Sequence, residues 1–309
     1  MRDNPIGQAV WLDLSGTMTE TILISPFAGC GPQQIPNRVY SDNGLYQREM
    51  EAFFYKGHWC YVALECEIPN AGDYKATMIG ERPVIVVRDR DGSVNVLENR
   101  CAHKGAKFCQ KEFGNAKVFV CPYHQWGYRL NGELAGVPMK NGVGGQGGMD
   151  ADFKLEEHGL NRLKVQVHNG IVFASFDPDV EPFEQFIGSG LMPFFNRTFD
   201  GRKLTLLGYN RQRIRGNWKL MQENIKDPYH PGLLHTWFVT FGLWRADNKA
   251  ALKMDAHHRH AAMISTRGNA GKQSDVSQVS SFKSSMELED QRFLDIVHED
   301  WWGEPTAVM

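Results

Sequence analysis

CAHKGAKFCQKEFGNAKVFVCPYH, residues Cys101 to His124, is the stretch that decides how the chain is read. Cys101-Ala102-His103 is followed by seventeen residues and then by Cys121-Pro122-Tyr123-His124. Two thiolates and two imidazoles make a complete soft-ligand set for a metal centre. Cys-x-His followed by Cys-x-x-His suits a [2Fe–2S] cluster in which one iron takes both sulfurs and the other both imidazoles. Each short loop then supplies one ligand to each iron, so the loops face one another. A structural zinc site needs the same four atoms. Zinc-finger spacing groups the cysteines and then the histidines, whereas here they alternate. Gly105 after the first pair, and Pro122, Tyr123, Trp126, Gly127 and Tyr128 around the second, supply the apolar bulk that keeps water off an electron-transfer centre.

Outward from that stretch, 309 residues suffice for a sizeable core and two domains. The net charge of −2 is spread over interspersed acids and bases, which gives no nucleic-acid surface. No apolar run reaches the length of a membrane span, and MRDNPIGQAVWLDLSGTM lacks the regions of a secretory signal. A cytoplasmic protein is expected. Of the six cysteines, Cys30, Cys60, Cys66 and Cys109 remain after the cluster. Cys60 and Cys66 lie in WCYVALECEI, which alternates like a strand and would hold them about 20 Å apart. Free buried thiols are expected.

Residues 1–44 read as an irregular arm, and a helix is predicted over Leu45 to Phe54. Short strands follow at WCYVALECEI, DYKATMIG, PVIVVRD and, after the Asp91-Gly92 turn, SVNVLEN. KVFV leads into Cys121, and GYRL and ELAG flank a hairpin turn at Asn131-Gly132. This run predicts a small antiparallel sandwich with the cluster at the tips of two loops. NGVGGQGG (141–148) reads as a flexible crossing loop; no Lys-Ser/Thr follows it to make a phosphate cradle. LKVQV and IVFASF pair across Asn169-Gly170. Residues 181–199 read as helical and aromatic-rich, and LTLLGYNRQRI as the first strand of a second domain. The expected boundaries are an arm at 1–44, a cluster domain at 45–165 and a second domain at 166–309.

A second metal site is read in NWKLMQENIKDPYHPGLLHTWF, Asn217 to Phe238. Its opening has helical spacing, with Trp218, Met221 and Ile225 on one side. Pro228 and Pro231 interrupt any continuous helix. His230 and His235 would point about 140° apart on an ideal helix. A break at Pro231-Gly232 is what could turn both imidazoles to one point. Taken alone, two histidines near prolines are more often unrelated polar residues, and Asp227 before a proline is a common turn residue. An electron-transfer centre needs an acceptor, however, and two histidines with one carboxylate on one face of Fe(II) leave positions open for O2 and substrate.

CAHKGA and CPYHQWGY resemble the Rieske loops of aromatic-ring-hydroxylating oxygenases. Ala106 and Tyr123 stand where respiratory Rieske proteins carry extra cysteines. Asn224…Asp227…His230…His235 resembles the family's mononuclear-iron motif. The resemblance implies an α+β large (alpha) subunit, with an antiparallel β Rieske domain and a helix-on-antiparallel-sheet catalytic domain. It implies Cys101, His103, Cys121 and His124 as cluster ligands and His230 and His235 as Fe(II) ligands. Asp227 would hydrogen-bond a ligand histidine and pass electrons from a neighbouring subunit's cluster. Longer phrases, from NRVYSDNGLYQREMEAFFYKGHWCYVALECEIP to FGLWRADNKAALKMDAHHRHAAMISTRG, are similar to large subunits of salicylate 5-hydroxylases. Anthranilate and terephthalate dioxygenase large subunits are similar but more distant. Implied with them are an aromatic carboxylate substrate, O2, a small beta subunit, a ferredoxin, an NADH-dependent reductase and an α3β3 ring. Competing readings are a Rieske electron carrier that binds only the cluster, and a zinc-stabilised binding protein.

The pattern departs from the family at the third iron ligand. The family supplies an acidic residue well beyond the two histidines, and Asp255, Glu287, Asp295, Glu299 and Asp300 do not lie in a similar segment. Thr306 to Met309 reads as the start of a strand. The expectation is therefore a catalytic domain cut short, its carboxylate ligand beyond residue 309, with weak mononuclear iron and little turnover. Arg245, His257, His258 and Arg259 are the candidates for holding a substrate carboxylate. DAHHRH (255–260) reads as a polar surface segment and not as a further metal site.

Overall fold

The computed structural model describes residues 34–228, 230–235, 249–266 and 306–308. The described residues up to Gln47 fall in one compact unit and those from Arg48 onward in another. In the first, α1 is the single turn Arg38–Ser41, and α2 (Asn43–Glu49) begins where Asp42 Oδ1 accepts the Leu45 N–H at 2.7 Å. The described end of the expected irregular arm is thus helical. Met50–Tyr55 continues α2 as π-type turns, so the helix predicted over Leu45 to Phe54 extends by a residue or two at each end.

The strands follow as β1 (Cys60–Leu64), β2 (Asp73–Ile79), β3 (Arg82–Arg88), β4 (Val94–Glu98), β5 (Phe113–Asn115), β6 (Phe119–Val120), β7 (Gly127–Tyr128), β8 (Leu134–Gly136), β9 (Lys164–His168) and β10 (Ile171–Ser175). They form three antiparallel sheets, β4-β3-β2-β5, β1-β10-β9 and β6-β7-β8. The run PVIVV in β3 is buried throughout because successive side chains point to opposite faces. Val84 and Val86 pack with Val62, Val172 and Ala174 of the β1-β10-β9 sheet. Ile85 and Val87 pack on the other side with Cys101, Cys121, Trp126 and Tyr128. One strand therefore serves both cores, and the cluster loops lie over its outer face. The hairpin at Asn169-Gly170 forms with both residues at positive φ, 50° and 83°, the pair that a tight two-residue turn needs.

Several expectations change. β1 ends at Leu64 and Glu65–Glu67 is a 3-10 turn, so Cys60 and Cys66 do not share a strand. Both are half-buried rather than buried, Cys109 is buried, and the described cysteines are all free; Cys30 lies outside the described residues. The boundary expected at 165/166 falls inside β9, which joins the sheet of β1 through β10. Within 141–148, Val143 and Gln146 exchange backbone hydrogen bonds at 3.0 and 3.2 Å, so the glycine run is a tight hairpin loop and not a free crossing.

Beyond the sandwich, α3 (Phe183–Ile187) and α4 (Met192–Thr198) bring Phe183, Phe186 and Phe195 against Trp59 and Phe173, as the aromatic-rich helical reading predicts. LTLLGYNRQRI does not form a strand. It runs as irregular chain, with the Tyr209 hydroxyl bonded to Glu67 and the Arg211 guanidinium paired with Glu112. Next come α5 (Trp218–Ile225) and α6 (Pro231–Leu234), then β11 (Lys249–Met254), β12 (Ala261–Thr266) and β13 (Thr306–Val308) in one antiparallel sheet, so the strand expected at Thr306 is present.

DAHHRH is the turn between β11 and β12, and it is not simply a polar surface. Asp255 is buried and accepts the backbone N–H groups of His257, Arg259 and His260 at 3.0, 2.7 and 2.7 Å. Burial opposes its charge, but the N–H groups of His260, His257 and Arg259 outweigh that and hold the carboxyl at about 2. Arg259 pairs with Glu181, and its guanidinium lies 5.2 Å from the Phe186 ring centre.

Candidate functional site

The two cluster loops are two copies of one turn. In the first, the Cys101 N–H donates to Ala106 O at 2.9 Å and the Gly105 N–H to Cys101 O at 2.8 Å. In the second, the Cys121 N–H donates to Trp126 O and the Gln125 N–H to Cys121 O, both at 2.9 Å. Each turn needs a left-handed residue four after its cysteine. Gly105 supplies it at φ 69°, and Gln125 does the same at 56° despite its side chain. β4 and β5 carry the first turn, and β6 and β7 the second.

Both thiols point inward. Cys101 is 4% and Cys121 1% exposed, while His103 is half-buried and His124 exposed. The two imidazoles come together with ring centres 4.6 Å apart, and Trp126 stacks on His103 at 4.7 Å and 6°. Trp126 is in turn held edge-on by Phe153 and His158. Tyr128, fully buried, places its hydroxyl 3.1 Å from Cys101 Sγ and accepts the Ala102 N–H at 3.1 Å. Burial, then the bond to Cys101, pushes its phenol pKa up. Sequence reasoning counted Tyr128 only as apolar bulk and missed Phe153 and His158 altogether. A tyrosine seven residues after the second cysteine is the available sign of a hydroxyl aimed back at the first.

These residues fit a [2Fe–2S] cluster. The thiols are free, and the buried Nδ1 of His103 has no hydrogen-bond partner among the described residues. Burial, then the nearby His124 ring and the Lys104 ammonium, lowers the His103 pKa, which favours the neutral ring that a metal requires. Among the described residues no three His, Cys, Asp or Glu side chains gather around one ion.

The second expected site assembles differently from its prediction. The turn between the histidines is not broken at Pro231-Gly232: Pro231 opens α6, with His230 just before it and His235 just after. A proline at the first helical position loses no hydrogen bond. The chain leaves the helix at His235, φ −97° and ψ 70°, which brings the two ring centres to 5.1 Å. His230 Nδ1, a buried atom without a hydrogen bond among the described residues, lies 3.4 Å from Asp227 Oδ2. A carboxylate beside Nδ1 leaves Nε2 as the nitrogen that could face a metal. Asp255 and Arg259 are committed to the β11–β12 turn, which removes them as iron ligand and substrate anchor. His257 and His258 are exposed in that turn, and Arg245, Glu287, Asp295, Glu299 and Asp300 lie outside the described residues. A cleft of about 540 Å³ along β2, lined by Tyr61, Lys75, Lys107, Lys111, Tyr209 and Arg211, includes no residue of either site.

Residues 58–147 match the Rieske [2Fe-2S] domain family. Over 286 residues the chain is 64% identical to the large oxygenase component of salicylate 5-hydroxylase from a Ralstonia species, covering 91% of this chain and 68% of that protein. It is 42% identical over 269 residues to the anthranilate 1,2-dioxygenase large subunit of Burkholderia cepacia, covering 86% of this chain and 63% of that subunit. The crystal structure of naphthalene 1,2-dioxygenase from Rhodococcus sp. bound to indole superposes with a TM-score of 0.67 and 29% identity, covering 77% of this chain and 54% of that one. The chain thus spans about two thirds of these curated relatives and about half of the solved structure. Because the likeness runs far past the two cluster loops, through the segment that carries the histidine pair, the chain belongs to the family of Rieske aromatic-ring oxygenase large subunits.

Proposed function

We propose that this chain is the large subunit of an oxygenase that hydroxylates an aromatic carboxylate of the salicylate type, using O2 and electrons derived from NADH. One observation carries the reading. The same chain that pairs Cys101/His103 with Cys121/His124 also brings His230 and His235 together, with Asp227 behind His230. A carrier protein needs only the first arrangement. The 64% identity to a salicylate 5-hydroxylase component supports the substrate class.

When bound, the [2Fe–2S] cluster supplies single electrons and a ferrous ion supplies the activation of O2. The residues of this chain set the conditions. Cys101, Cys121, His103 and His124 are the proposed cluster ligands. Tyr128 would donate its proton toward Cys101 Sγ, because a cluster-bound thiolate has none to give. Trp126 fixes the plane of His103 and excludes water from that face. His230 and His235 are the proposed ferrous ligands, and Asp227 orients His230 through Nδ1 and is the proposed relay for electrons arriving from a neighbouring subunit. The domain assignment that goes with this reading is a Rieske domain followed by a mononuclear-iron domain.

The proposed partners are a small beta subunit in an α3β3 assembly, and a ferredoxin with its NADH-dependent reductase. Among the described residues no helix is long and apolar enough to cross a membrane, and a cytoplasmic location is proposed. The test is reduction of the purified protein under argon, electron paramagnetic resonance, and then addition of O2 and salicylate. A Rieske signal is expected, with a hydroxylated acid as whatever product forms. Colourless, zinc-loaded protein would overturn the reading, and a cis-diol product would move it to the anthranilate or terephthalate type of ring dioxygenase.

A further inference from the structure

Glu49 is a buried carboxylate far in sequence from either metal site, and its partners lead to one of them. Its side chain is 7% exposed. Lys219 Nζ donates to both of its oxygens, at 2.8 and 2.7 Å, and Trp218 Nε1 donates to Oε2 at 3.1 Å. The Trp218 ring also meets Phe54 edge-on, with ring centres 5.3 Å apart. Trp218 and Lys219 are the first two residues of α5. The rest of that helix, including Leu220, Met221 and Ile225, is exposed, and the chain before it from Arg202 forms no regular element. Two residues after α5 ends comes Asp227, and three further on His230.

Breaking a buried ion pair by removing one partner leaves an uncompensated charge, so such a pair holds its elements in one arrangement. Here the arrangement is that of the helix from which the Asp227–His230 pair hangs. We propose that Glu49 is a positioning residue for the mononuclear iron site: through Lys219 and Trp218 it fixes the start of α5, and thereby where Asp227 and His230 stand. This rests on the reading of His230 and His235 as metal ligands.

The experiment is equilibrium dialysis of Co(II) against the cluster-loaded protein freed of its mononuclear iron, read as bound cobalt per chain, beside the cluster absorbance per chain. Glu49→Gln and Lys219→Met are each expected to weaken Co(II) binding on the order of tenfold, the scale of an outer-sphere change at a metal site. The cluster absorbance should stay at the wild-type value. Lys219→Arg, which keeps a cation with paired donors, should restore most of the affinity. Lys219→Met carries the same test where Glu49→Gln does not fold. Unchanged Co(II) affinity in the soluble variants, or loss of metal and cluster in step, overturns the proposal. Wild-type Co(II) binding that survives His230→Ala overturns the histidine-pair reading, and the inference with it.

Discussion

The Tyr128 hydroxyl lies 3.1 Å from Cys101 Sγ and accepts the Ala102 N–H; opposite a cluster-bound thiolate, which has no proton to give, the hydroxyl is the donor. Hydrogen bonds to cluster sulfurs stabilise the more negative, reduced state and raise the potential. Tyr128→Phe keeps the ring and removes that proton. Its reduction potential is expected to fall on the order of 50 mV, close to a tenfold change for one electron. Redox titration followed by visible absorption measures it, and an unchanged potential would count against the donor role.

Trp126 is 3% exposed and lies flat on His103. Trp126→Leu leaves part of its volume empty and lets water reach the imidazole. A loss of about 3 kcal/mol is expected from core truncation. The visible spectrum of the variant should also bleach faster in air than that of the wild type.

Asp227 faces His230 Nδ1 at 3.4 Å. Asp227→Asn keeps the shape but removes the charge proposed to orient and strengthen that imidazole. Ferrous-ion affinity should fall roughly 10–100-fold while the cluster remains reducible. Iron analysis after dialysis separates the two sites, since the cluster iron should remain.

Asp255 adds a pH dependence. Its folded pKa, about 2, lies below the ordinary aspartate value of 3.8. A depressed carboxyl stabilises the fold above the unfolded value and loses that contribution as pH falls through the folded one. The contribution is therefore full above roughly pH 4 and fades toward pH 2, about 2 kcal/mol in all. Asp255→Asn should unfold at lower denaturant than wild type at pH 6, and the gap should close in acid. A gap that persists at pH 2 would mean that the carboxylate charge is not what stabilises the turn.

Much of the sandwich was legible because burial on both faces leaves a plain mark: PVIVV admits few readings other than a central strand. The short strand β5 and the layer of aromatic rings behind His103 were not legible, since both depend on partners brought in from elsewhere in the chain. LTLLGYNRQRI shows why alternation alone misleads. Tyr209 and Arg211 find Glu67 and Glu112 as side-chain partners, and among the described residues no strand pairs with the segment. DAHHRH reads as surface because it is polar, yet one buried aspartate gathers its backbone donors inward. At the histidine pair the spacing argument was right that an unbroken helix separates the rings. It placed the departure at Pro231-Gly232, whereas the helical turn is kept and both histidines sit just outside its ends.

Cys101 and Cys121 are sealed in the interior while His124 meets solvent and His103 lies at the rim. A redox centre seated this way is insulated on its thiolate side and accessible on its imidazole side. The shortest route for an electron exchanged with the proposed cluster therefore runs through the imidazole side, by way of His103 and His124.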